Sequence, residues 1–377
     1  MKSVLTLGVM SGTSIDGVDY ALCDIGEDQL RLRALWSVQF PTNLQRRLHV
    51  AASGAAASWE VAQLHHDLGR FYADGIRHAP SSKLHALKPR LAGLHGQTIF
   101  HNPDNHTPAT LQIGEPTYLA RALAVPVISN FRAADLAAGG QGAPLATSFH
   151  VRAFGVPGRH VCVNNLGGIS NVTSIDWRRG SRPHVLAFDT GPANVLLDLA
   201  VRTFSRGRRT FDRNGRAAAS GQSCEPLVAR WLRHPYFRKS PPKSTGREMF
   251  GERFFEGVRD QARRHKLSSN DILATLTEFT ARSLALSYRR HLPSAPEVVI
   301  LAGGGAQNPV LFGAISRALG RNGIATTVTS VEDAGWPVAS VEAAAFAWLA
   351  WLRYHGQPGN LPSTTGAKDE VLCGQIT

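Results

Sequence analysis

The sequence has few cysteines and no long apolar run. Its four cysteines, at positions 23, 162, 224 and 373, stand far apart in 377 residues and form no Cys-x-x-Cys pair. This spacing argues against a disulfide scaffold or a zinc framework and is typical of reduced thiols, so we expect a cytoplasmic protein. No stretch approaches the roughly 20 apolar residues of a transmembrane helix, and we therefore expect no membrane partner.

Acidic residues are also scarce, with 28 Asp and Glu against 41 Lys and Arg, which gives a net charge of +13. An excess of basic residues is one signature of nucleic-acid binding, and five arginines fall between Arg206 and Arg216. However, no nucleic-acid motif is recognisable and the other basic residues are dispersed. We predict an arginine-rich surface loop and no nucleic-acid partner. A general attraction for anionic small molecules such as nucleotides is compatible with either interpretation.

The length of the chain favours two domains, because 377 residues are many for one hydrophobic core. A stretch that carries Gly and Pro, residues 150–160, is the candidate boundary. We therefore predict an N-terminal domain over residues 1–150 and a C-terminal domain over residues 151–377, whose last helix is free to cross back to the first.

A glycine-rich turn near the start of the chain is the first candidate site. Residues 4–10 form an apolar run typical of a buried strand, residues 11–17 break it, and an alternating strand starts at Val18. The turn offers clustered backbone N–H groups and three hydroxyls, and consecutive N–H groups in such a turn form an anion-binding concavity. The alternative is an ordinary hairpin turn.

The same pattern returns in the second half, which favours the functional interpretation. An apolar strand over residues 161–166 is followed by a glycine turn at 167–171 and by another strand. Each half also has a later apolar strand with a polar, glycine-containing end, residues 91–98 and 298–308. Such duplication predicts two similar α/β domains that face each other across a cleft, with nucleotide phosphates between the two turns.

Two polar residues follow apolar strands and are candidates for chemistry. The strand over residues 185–188 ends at Asp189, whose carboxylate is a candidate general base. Its alternative is a cap for the following helix. His95 follows the strand over residues 91–94, at the end where ligands bind in α/β sheets, or it is a turn histidine.

Capping patterns predict several helix starts. Thr245 and Glu248 form a Thr-x-x-Glu capping box for the helix that carries Phe250 and Phe254, and this cap explains most of that stretch, although Lys243 is also a candidate phosphate or partner contact. Asn270 is the predicted N-cap of a further helix. Residues 43–78 are predicted as one helical region, and a last helix begins near Pro337 and ends before Gly356.

These segments, taken in order, resemble the anhydro-N-acetylmuramic acid kinases, which are bacterial sugar kinases of the actin/hexokinase/Hsp70 superfamily. The resemblance runs nearly end to end and rests on residues 12–19, 95–98, 140–145, 165–169, 188–192, 241–248 and 358–362. Each motif alone is weak, but the ordered set is highly specific.

The resemblance implies two duplicated actin/hexokinase-like (ribonuclease H-like) domains and an ATP-dependent kinase. Such an enzyme opens the 1,6-anhydro bond of anhydro-N-acetylmuramic acid with water and phosphorylates O6, giving N-acetylmuramic acid 6-phosphate in cell-wall recycling. The implied cofactors are ATP and Mg²⁺, the compartment is the bacterial cytoplasm, and a homodimer is left open. The alternatives are a kinase of the same fold for another sugar hydroxyl and a non-catalytic nucleotide switch of the actin or chaperone type.

The resemblance also implies roles for individual residues. Asp189 is the base that takes a proton from the attacking water. His95, Arg132 and Glu342 are placed around the sugar, although an acid such as Glu342 is also favoured in the first turn of any helix. The residues implied at the ATP phosphates are Gly12, Thr13, Ser14, Ile15, Asp16, Gly17, Val18, Asp19, Gly167, Gly168, Gly303, Gly304 and Gly305. The metal ligands are unassigned, with Asp16 as the first candidate, and Asn214 stands where the family is expected to have an acid.

Overall fold

A computed structural model describes residues 3–80, 88–103 and 107–377. The chain divides into two compact units, Met1–Ala153 with Ala339–Thr377, and Phe154–Val338. The sequence placed the boundary at residue 150 and left the last helix free to cross back. In the structure the division falls after Ala153, and the whole segment from Ala339 belongs to the first unit.

The strands are numbered in chain order. They are β1 (Val4–Ser11), β2 (Gly17–Ile25), β3 (Leu30–Gln39), β4 (Leu91–Asn102), β5 (Ala109–Ile113), β6 (Val127–Ser129), β7 (His160–Leu166), β8 (Ile169–Asp176), β9 (His184–Pro192), β10 (Val298–Ala302), β11 (Thr327–Ser330) and β12 (Gln375–Ile376).

The α-helices are numbered likewise. They are α1 (Thr42–Ala52), α2 (Ser58–Gly75), α3 (Pro116–Leu123), α4 (Ala133–Ala137), α5 (Ala146–Phe154), α6 (Asn194–Phe204), α7 (Arg216–Ala219), α8 (Glu225–Trp231), α9 (Glu252–Arg264), α10 (Ser269–His291), α11 (Pro309–Arg321), α12 (Ser340–Tyr354) and α13 (Pro362–Thr365). Short 3₁₀ helices cover Ile76–His78, Arg213–Gly215, Pro235–Arg238 and Gly304–Gln307.

The two units share one sheet topology. In the first, β1, β2 and β3 form an antiparallel meander, and β4 and then β6 add in parallel beside β1. In the second, β7, β8 and β9 form the meander, and β10 and then β11 add in parallel beside β7. This strand order is that of the ribonuclease H-like fold, and it occurs once in each unit. The predicted duplication is confirmed from the strand pairings alone.

Helix α12 packs against the sheet of the first unit at two glycines. A Cβ on Gly8 of β1 would collide with the carbonyl oxygen of Ala343, and one on Gly93 of β4 would collide with that of Phe346. Glycine at both positions therefore lets the helix backbone lie directly on the sheet. Because α12 is fixed in this way, the position of Glu342 in its first turn is fixed by the core.

Several predicted boundaries are wrong. The strands predicted to end before His95 and Asp189 continue, to Asn102 and to Pro192. The helical region predicted over residues 43–78 is two α-helices separated by residues 53–57, followed by a 3₁₀ turn. Asp189 lies inside the ladder opposite Asn171, and His95 lies at a register shift of the pairing between β1 and β4, because backbone pairing tolerates polar side chains as readily as apolar ones.

Two predicted helix caps are also wrong. Helix α9 begins at Glu252 after Gly251 and has no side-chain cap, so Thr245 and Glu248 do not form a capping box there. Helix α10 is capped by Ser268, whose hydroxyl accepts the N–H of Asp271 while the Asp271 carboxylate accepts the N–H of Ser268. A Ser-x-x-Asp box satisfies two helix donors, whereas the predicted cap, Asn270, would satisfy fewer.

Candidate functional site

The first glycine turn joins β1 to β2 and is held from several sides. Ile15 has a φ of 56°, in the left-handed region, and its N–H donates to the carbonyl of Gly12 at 3.2 Å. The carbonyl of Ile15 accepts from Gln45 at 2.7 Å, and that of Gly12 accepts from the Gln97 amide at 3.1 Å. With its carbonyls engaged and Thr13 and Ser14 exposed, the turn presents its outer face to solvent.

Packing does not explain why residue 12 is a glycine. A Cβ built there would meet its nearest neighbour, the Ser14 hydroxyl, at 3.7 Å, and its φ lies outside the left-handed region. In contrast, a Cβ on Gly17 would lie 3.0 Å from the Cα of Gln39 and closer still to the Val38 carbonyl, so this glycine is needed where β2 pairs with β3. The absence of a side chain at Gly12 is explained if a ligand approaches the backbone closely.

Three carboxylates of the first unit act on one another. Ser14 donates to Asp16 at 2.8 Å and Ser37 donates to Asp19 at 2.5 Å. Desolvation and the charge of Asp16 raise the pKa of Asp19, against the Ser37 hydrogen bond. Desolvation, together with the charges of Asp19 and Asp16, raises the pKa of Glu342 and Arg132 opposes the rise, although Glu342 is an exposed residue. A divalent cation near this group would relieve the mutual repulsion.

In the same unit, the buried His95 pairs with the partly buried Arg132. Arg132 donates from Nε and Nη2 to Nε2 of His95, at 3.2 and 3.0 Å, and from Nη1 to the carbonyl of Gly142 at 2.8 Å. Arginine cannot accept a hydrogen bond, so Nε2 of His95 is the acceptor and its Nδ1 carries the proton that is donated to the carbonyl of Gly96 at 2.8 Å. Burial and the nearby Arg132 hold the pKa of His95 well below its usual range. His95 is therefore a neutral acceptor that orients the guanidinium.

The loop beside Arg132 is tied to the end of the chain by a buried carboxylate. Asp135 accepts from the backbone N–H of Gly142, from the amide of Asn360 and from the hydroxyl of Thr365, each at 2.7 Å. The carbonyl of Gly142 also accepts the hydrogen bond from Arg132. Asp135 therefore holds the loop whose backbone holds the Arg132 guanidinium. These three donors occupy three of the roughly four acceptor positions of the carboxylate.

The second unit repeats the glycine turn between β7 and β8. The first N–H groups of α6 meet this turn, since Asn194 donates to the carbonyl of Gly167 at 3.0 Å and Val195 to that of Gly168 at 3.1 Å. Cβ atoms on these two glycines would have no neighbour closer than 3.6 and 3.9 Å, so packing does not require glycine at either position.

The three glycines after β10 differ in what requires them. Gly303 has a φ of 75°, a conformation that favours glycine. Gly305 is buried, and a Cβ there would lie 2.7 Å from that of Leu166. Gly304 is exposed and has open space around a built Cβ. Neither conformation nor packing explains Gly304, so it is the one of the three that suits close approach of a ligand.

Asp189 lies within β9 and is held by hydrogen bonds to residues 236–245. Its N–H donates to the carbonyl of Lys243 at 3.1 Å, its Oδ2 accepts the N–H of Thr245 at 2.9 Å, and its carbonyl accepts the hydroxyl of Tyr236 at 2.6 Å. Its Oδ1 accepts no hydrogen bond from the described part of the chain. The proposed alternative role of Asp189 as a helix cap is wrong, because the N-cap of α6 is Ala193.

The surroundings raise the pKa of Asp189 to about 6. Desolvation is the main cause and the charge of Glu248 adds to it, whereas the Thr245 hydrogen bond and the charge of Lys243 oppose it. A carboxyl group with a pKa near 6 is mostly ionised at neutral pH and is more basic than an ordinary aspartate. Both properties suit a general base.

The arginine-rich loop predicted between Arg206 and Arg216 lies on the surface of the second unit. Its five arginines are exposed and form no ion pair within the described residues. Asp212 accepts the N–H groups of Ala217 and Ala218 at 3.0 and 2.9 Å and so pairs two of the first N–H groups of α7, whose N-cap is Gly215. Asn214, which departs from the expected acid, has a φ of 56° and is exposed. Asn adopts this left-handed backbone readily, so the position has a conformational explanation.

The predicted residues thus fall into two groups. Residues 12–19, His95, Arg132 and Glu342 belong to the first unit, and Gly167, Gly168, residues 303–305 and Asp189 belong to the second. Sequence reasoning missed Gln97, Asp135 and Thr245. Gln97 and Thr245 lie in motifs that had been noticed, but Asp135 acts on residues more than 200 positions away, and no local pattern indicates such a contact.

Comparison with known proteins bears on the whole chain. The family model for anhydro-N-acetylmuramic acid kinase matches residues 4–377. The chain belongs to this family. The family's curated anhydro-N-acetylmuramic acid kinase from Microcystis aeruginosa is 40% identical over 382 residues, covering 99% of this chain and all of the relative. The one from Synechocystis sp. is 41% identical over 384 residues, covering 98% and 97%.

Solved structures of other families are more distant from this member of the family. A ROK family glucokinase from Streptomyces griseus in complex with glucose and AMPPNP is 16% identical, covers 92% of this chain and 99% of its own, and has a TM-score of 0.41. The activator of 2-hydroxyisocaproyl-CoA dehydratase from Clostridium difficile with bound ADPNP is 12% identical, covers 93% and 96%, and has a TM-score of 0.45. Within the described residues no helix is long and apolar enough to cross a bilayer.

Proposed function

We propose that the chain uses ATP to convert anhydro-N-acetylmuramic acid into N-acetylmuramic acid 6-phosphate, with hydrolysis of the 1,6-anhydro bond coupled to phosphorylation. Membership of the family supports the kinase activity and the sugar. The observation that supports the coupled hydrolysis is the environment of Asp189. Its carboxylate has a pKa of about 6, Oδ2 is held by the N–H of Thr245, and Oδ1 accepts no hydrogen bond from the described residues.

Asp189 acts as the base. Water attacks the anomeric carbon C1 and gives one proton to Asp189, while the bond between C1 and O6 breaks. The released O6 takes the γ-phosphoryl group of ATP and ADP leaves. Water is a weak nucleophile, and a positioned base contributes roughly 10²–10⁴-fold to such a step.

Arg132 supplies the cation for the lactyl carboxylate of the sugar. Burial lowers the pKa of Arg132 to about 10, with Glu342 opposing, so the guanidinium is charged at neutral pH. His95 and Gly142 orient it without neutralising it. A guanidinium that is oriented but not neutralised favours a carboxylate ligand, because Arg–carboxylate pairs are short, charge-assisted and often bidentate.

The glycine turns bind the ATP phosphates, and Mg²⁺ arrives with the nucleotide. Gly12, Gly167, Gly168 and Gly304 have room for a Cβ but carry none, which leaves their backbones open to phosphate oxygens. Mg²⁺ is usually held by one or two carboxylates together with substrate phosphates, and Asp16 and Asp19 have the right chemistry. Within the described residues no group of three His, Cys, Asp or Glu forms a cage of its own, so the phosphates would complete the coordination. The ion would supply charge neutralisation for the transferred group.

Labelled water tests the proposal directly. The protein is incubated with ATP, Mg²⁺ and anhydro-N-acetylmuramic acid in ¹⁸O-water, and the sugar phosphate is analysed by mass spectrometry with fragmentation. We expect one ¹⁸O, at C1, and Asp189→Asn should form no product while still binding ATP. A phosphorylated sugar with its anhydro ring intact, or turnover of the Asn variant within a few-fold of the parent, would refute the coupled mechanism.

A further inference from the structure

Lys243 is a buried cation beside the proposed base. It lies in the segment that brackets Asp189, and the residue is only 9% exposed. Its Nζ lies 4.8 Å from the ring centre of Tyr236 and 5.6 Å from that of Phe188, so it contacts two aromatic faces. Nζ also donates to Nε2 of His291 at 3.2 Å. An ammonium group on aromatic faces is stabilised by the ring quadrupoles.

No carboxylate forms an ion pair with Lys243 in the described part of the chain. Burying an ammonium group without a directly paired acid is costly, and a buried cation of this kind calls for a functional explanation. The rings and the neutral imidazole hold the side chain in place, but they do not neutralise it. The uncompensated charge is therefore available to act on a neighbouring carboxylate.

Asp189 is that carboxylate, and the backbone couples the two residues. The N–H of Asp189 donates to the carbonyl of Lys243, and two residues further on the N–H of Thr245 donates to Oδ2 of Asp189. Tyr236, which supplies one ring to the lysine, donates its hydroxyl to the carbonyl of Asp189. Lys243 and Asp189 are thus fixed with respect to each other through three hydrogen bonds and a shared ring.

We propose that Lys243 is a positioning residue whose charge keeps the Asp189 carboxylate ionised and ready to accept the proton of water. The inference rests on the proposed function of Asp189 as the base. Lys243 itself touches no reacting atom and acts through the carboxylate.

The other charged and titratable groups around Lys243 and Asp189 each raise or lower the pKa of a neighbour. Glu248 raises the pKa of Asp189, opposing Lys243. Burial and the charge of Arg290 lower the pKa of Lys243 to about 8, with Asp189 opposing. Burial and the charge of Lys243 lower the pKa of His291, which keeps it a neutral acceptor. The pKa of Tyr236 is raised by burial and then by Asp189, so its hydroxyl stays protonated. Lys243 is therefore the group whose charge favours the ionised base between about pH 6 and pH 8.

The test is the pH profile of kcat/KM for the labelled-water reaction, measured for the parent and for Lys243→Met. Methionine is one heavy atom shorter than lysine, and it keeps an unbranched apolar chain near the rings but removes the charge. We expect the acidic limb to move to higher pH by roughly one pH unit, as expected for loss of a nearby opposite charge. At pH 8.5–9 the variant should approach the parent, because Asp189 is ionised there in both. A uniform loss at every pH would overturn the proposal and indicate that Lys243 takes part directly.

Two further variants separate this role from a structural one. Glu248→Gln removes the opposing charge from an exposed side chain, so its acidic limb should move to lower pH, opposite to that of Lys243→Met. Lys239→Met, an exposed lysine four residues earlier, is the matched control and should leave the profile unchanged. If Lys243→Met fails to fold, as judged by thermal unfolding, Lys243→Arg should fold and keep the parent limb. If the acidic limbs of the pH profiles of Lys243→Met and Glu248→Gln were both unchanged, the inference about Lys243 would be overturned. The proposed function would still stand in that case, provided that the parent enzyme forms the labelled product.

Discussion

His95 accepts two hydrogen bonds from Arg132 at a single ring nitrogen, Nε2. This relationship settles the tautomer of the histidine and leaves the arginine charged. Had a carboxylate held the guanidinium, its charge would have been neutralised before any substrate arrived. A neutral imidazole orients the group equally well and leaves its charge for a ligand, so we expect His95 to act on the proposed sugar through Arg132.

Replacing His95 tests this arrangement. In His95→Phe the ring still packs on Phe346, whose centre lies 4.4 Å from that of His95, but the acceptor is lost. We expect KM for the sugar to rise about 10–100-fold with little change in kcat, because a hydrogen bond to a charged group contributes roughly 1.5–3 kcal/mol. His95→Gln, which restores an acceptor, should recover part of the affinity. Steady-state kinetics of both variants provide the measurement, and an equal loss in the two would show that Arg132 does not depend on the acceptor.

The raised pKa of Asp189 should be visible in the stability of the protein. An acid whose folded-state pKa lies above its unfolded value loses protons first in the unfolded state, so the stability falls as the pH rises from about 4 to about 6 and is constant above that. A rise from 3.8 to about 6 corresponds to at most about 3 kcal/mol. Asp189→Asn should therefore raise the free energy of unfolding at pH 7.5 by up to that amount while abolishing turnover, and the gain should vanish near pH 3.5.

Asp198 is the matched control for that experiment. Burial raises its pKa to about 6 as well, with Arg202 and Arg247 opposing, and it lies in α6 outside the proposed chemistry. Asp198→Asn should show the same pH-dependent gain in urea unfolding but keep turnover. If neither variant gained stability between pH 5 and pH 7.5, the folded-state pKa values would be close to ordinary and the argument for an unusually basic Asp189 would fail.

The duplicated fold could be predicted from the sequence for a physical reason, whereas the roles assigned to the site residues stay predictions. Each copy of strand, glycine turn and strand is a pattern of neighbouring residues, so it can be recognised in the sequence. A turn whose backbone is to be open to a ligand needs glycines, and these are part of the same local pattern. The strand ends were harder to predict, because β4 and β9 continue through polar residues whose backbones still pair with neighbouring strands. Asp135 was out of reach, since its partners Asn360 and Thr365 meet it only after the chain returns to the first unit.

Asp135 should matter more for stability than any exposed acid. Each of its carboxylate oxygens accepts at least one hydrogen bond, so an amide in Asp135→Asn would turn donor hydrogens toward donors whichever way it rotates. We expect a loss of about 1–3 kcal/mol, measured as a lower urea midpoint with an unchanged m-value. Asp74→Asn, at a side chain that is 63% exposed, should change the midpoint little. A neutral result at Asp135 would mean that the loop from Gly139 to Leu145 is held by its neighbours without the carboxylate.

The three glycines after β10 give a test in which folding and nucleotide binding separate. Gly303→Ala forces a φ of 75° on alanine, and Gly305→Ala places a Cβ 2.7 Å from that of Leu166, so both should lower the unfolding temperature. Gly304→Ala meets open space and should unfold at or slightly above the parent's temperature, because alanine loses less backbone freedom on folding. If ATP approaches the backbone at this turn, the added methyl of Gly304→Ala should raise KM for ATP several-fold with the KM for the sugar unchanged. Thermal unfolding and steady-state kinetics of the three variants provide the measurements. A Gly304→Ala enzyme with the parent's KM for ATP would show that ATP does not approach the backbone at this turn. That approach is the explanation proposed for Gly304, because neither its conformation nor its packing accounts for the glycine.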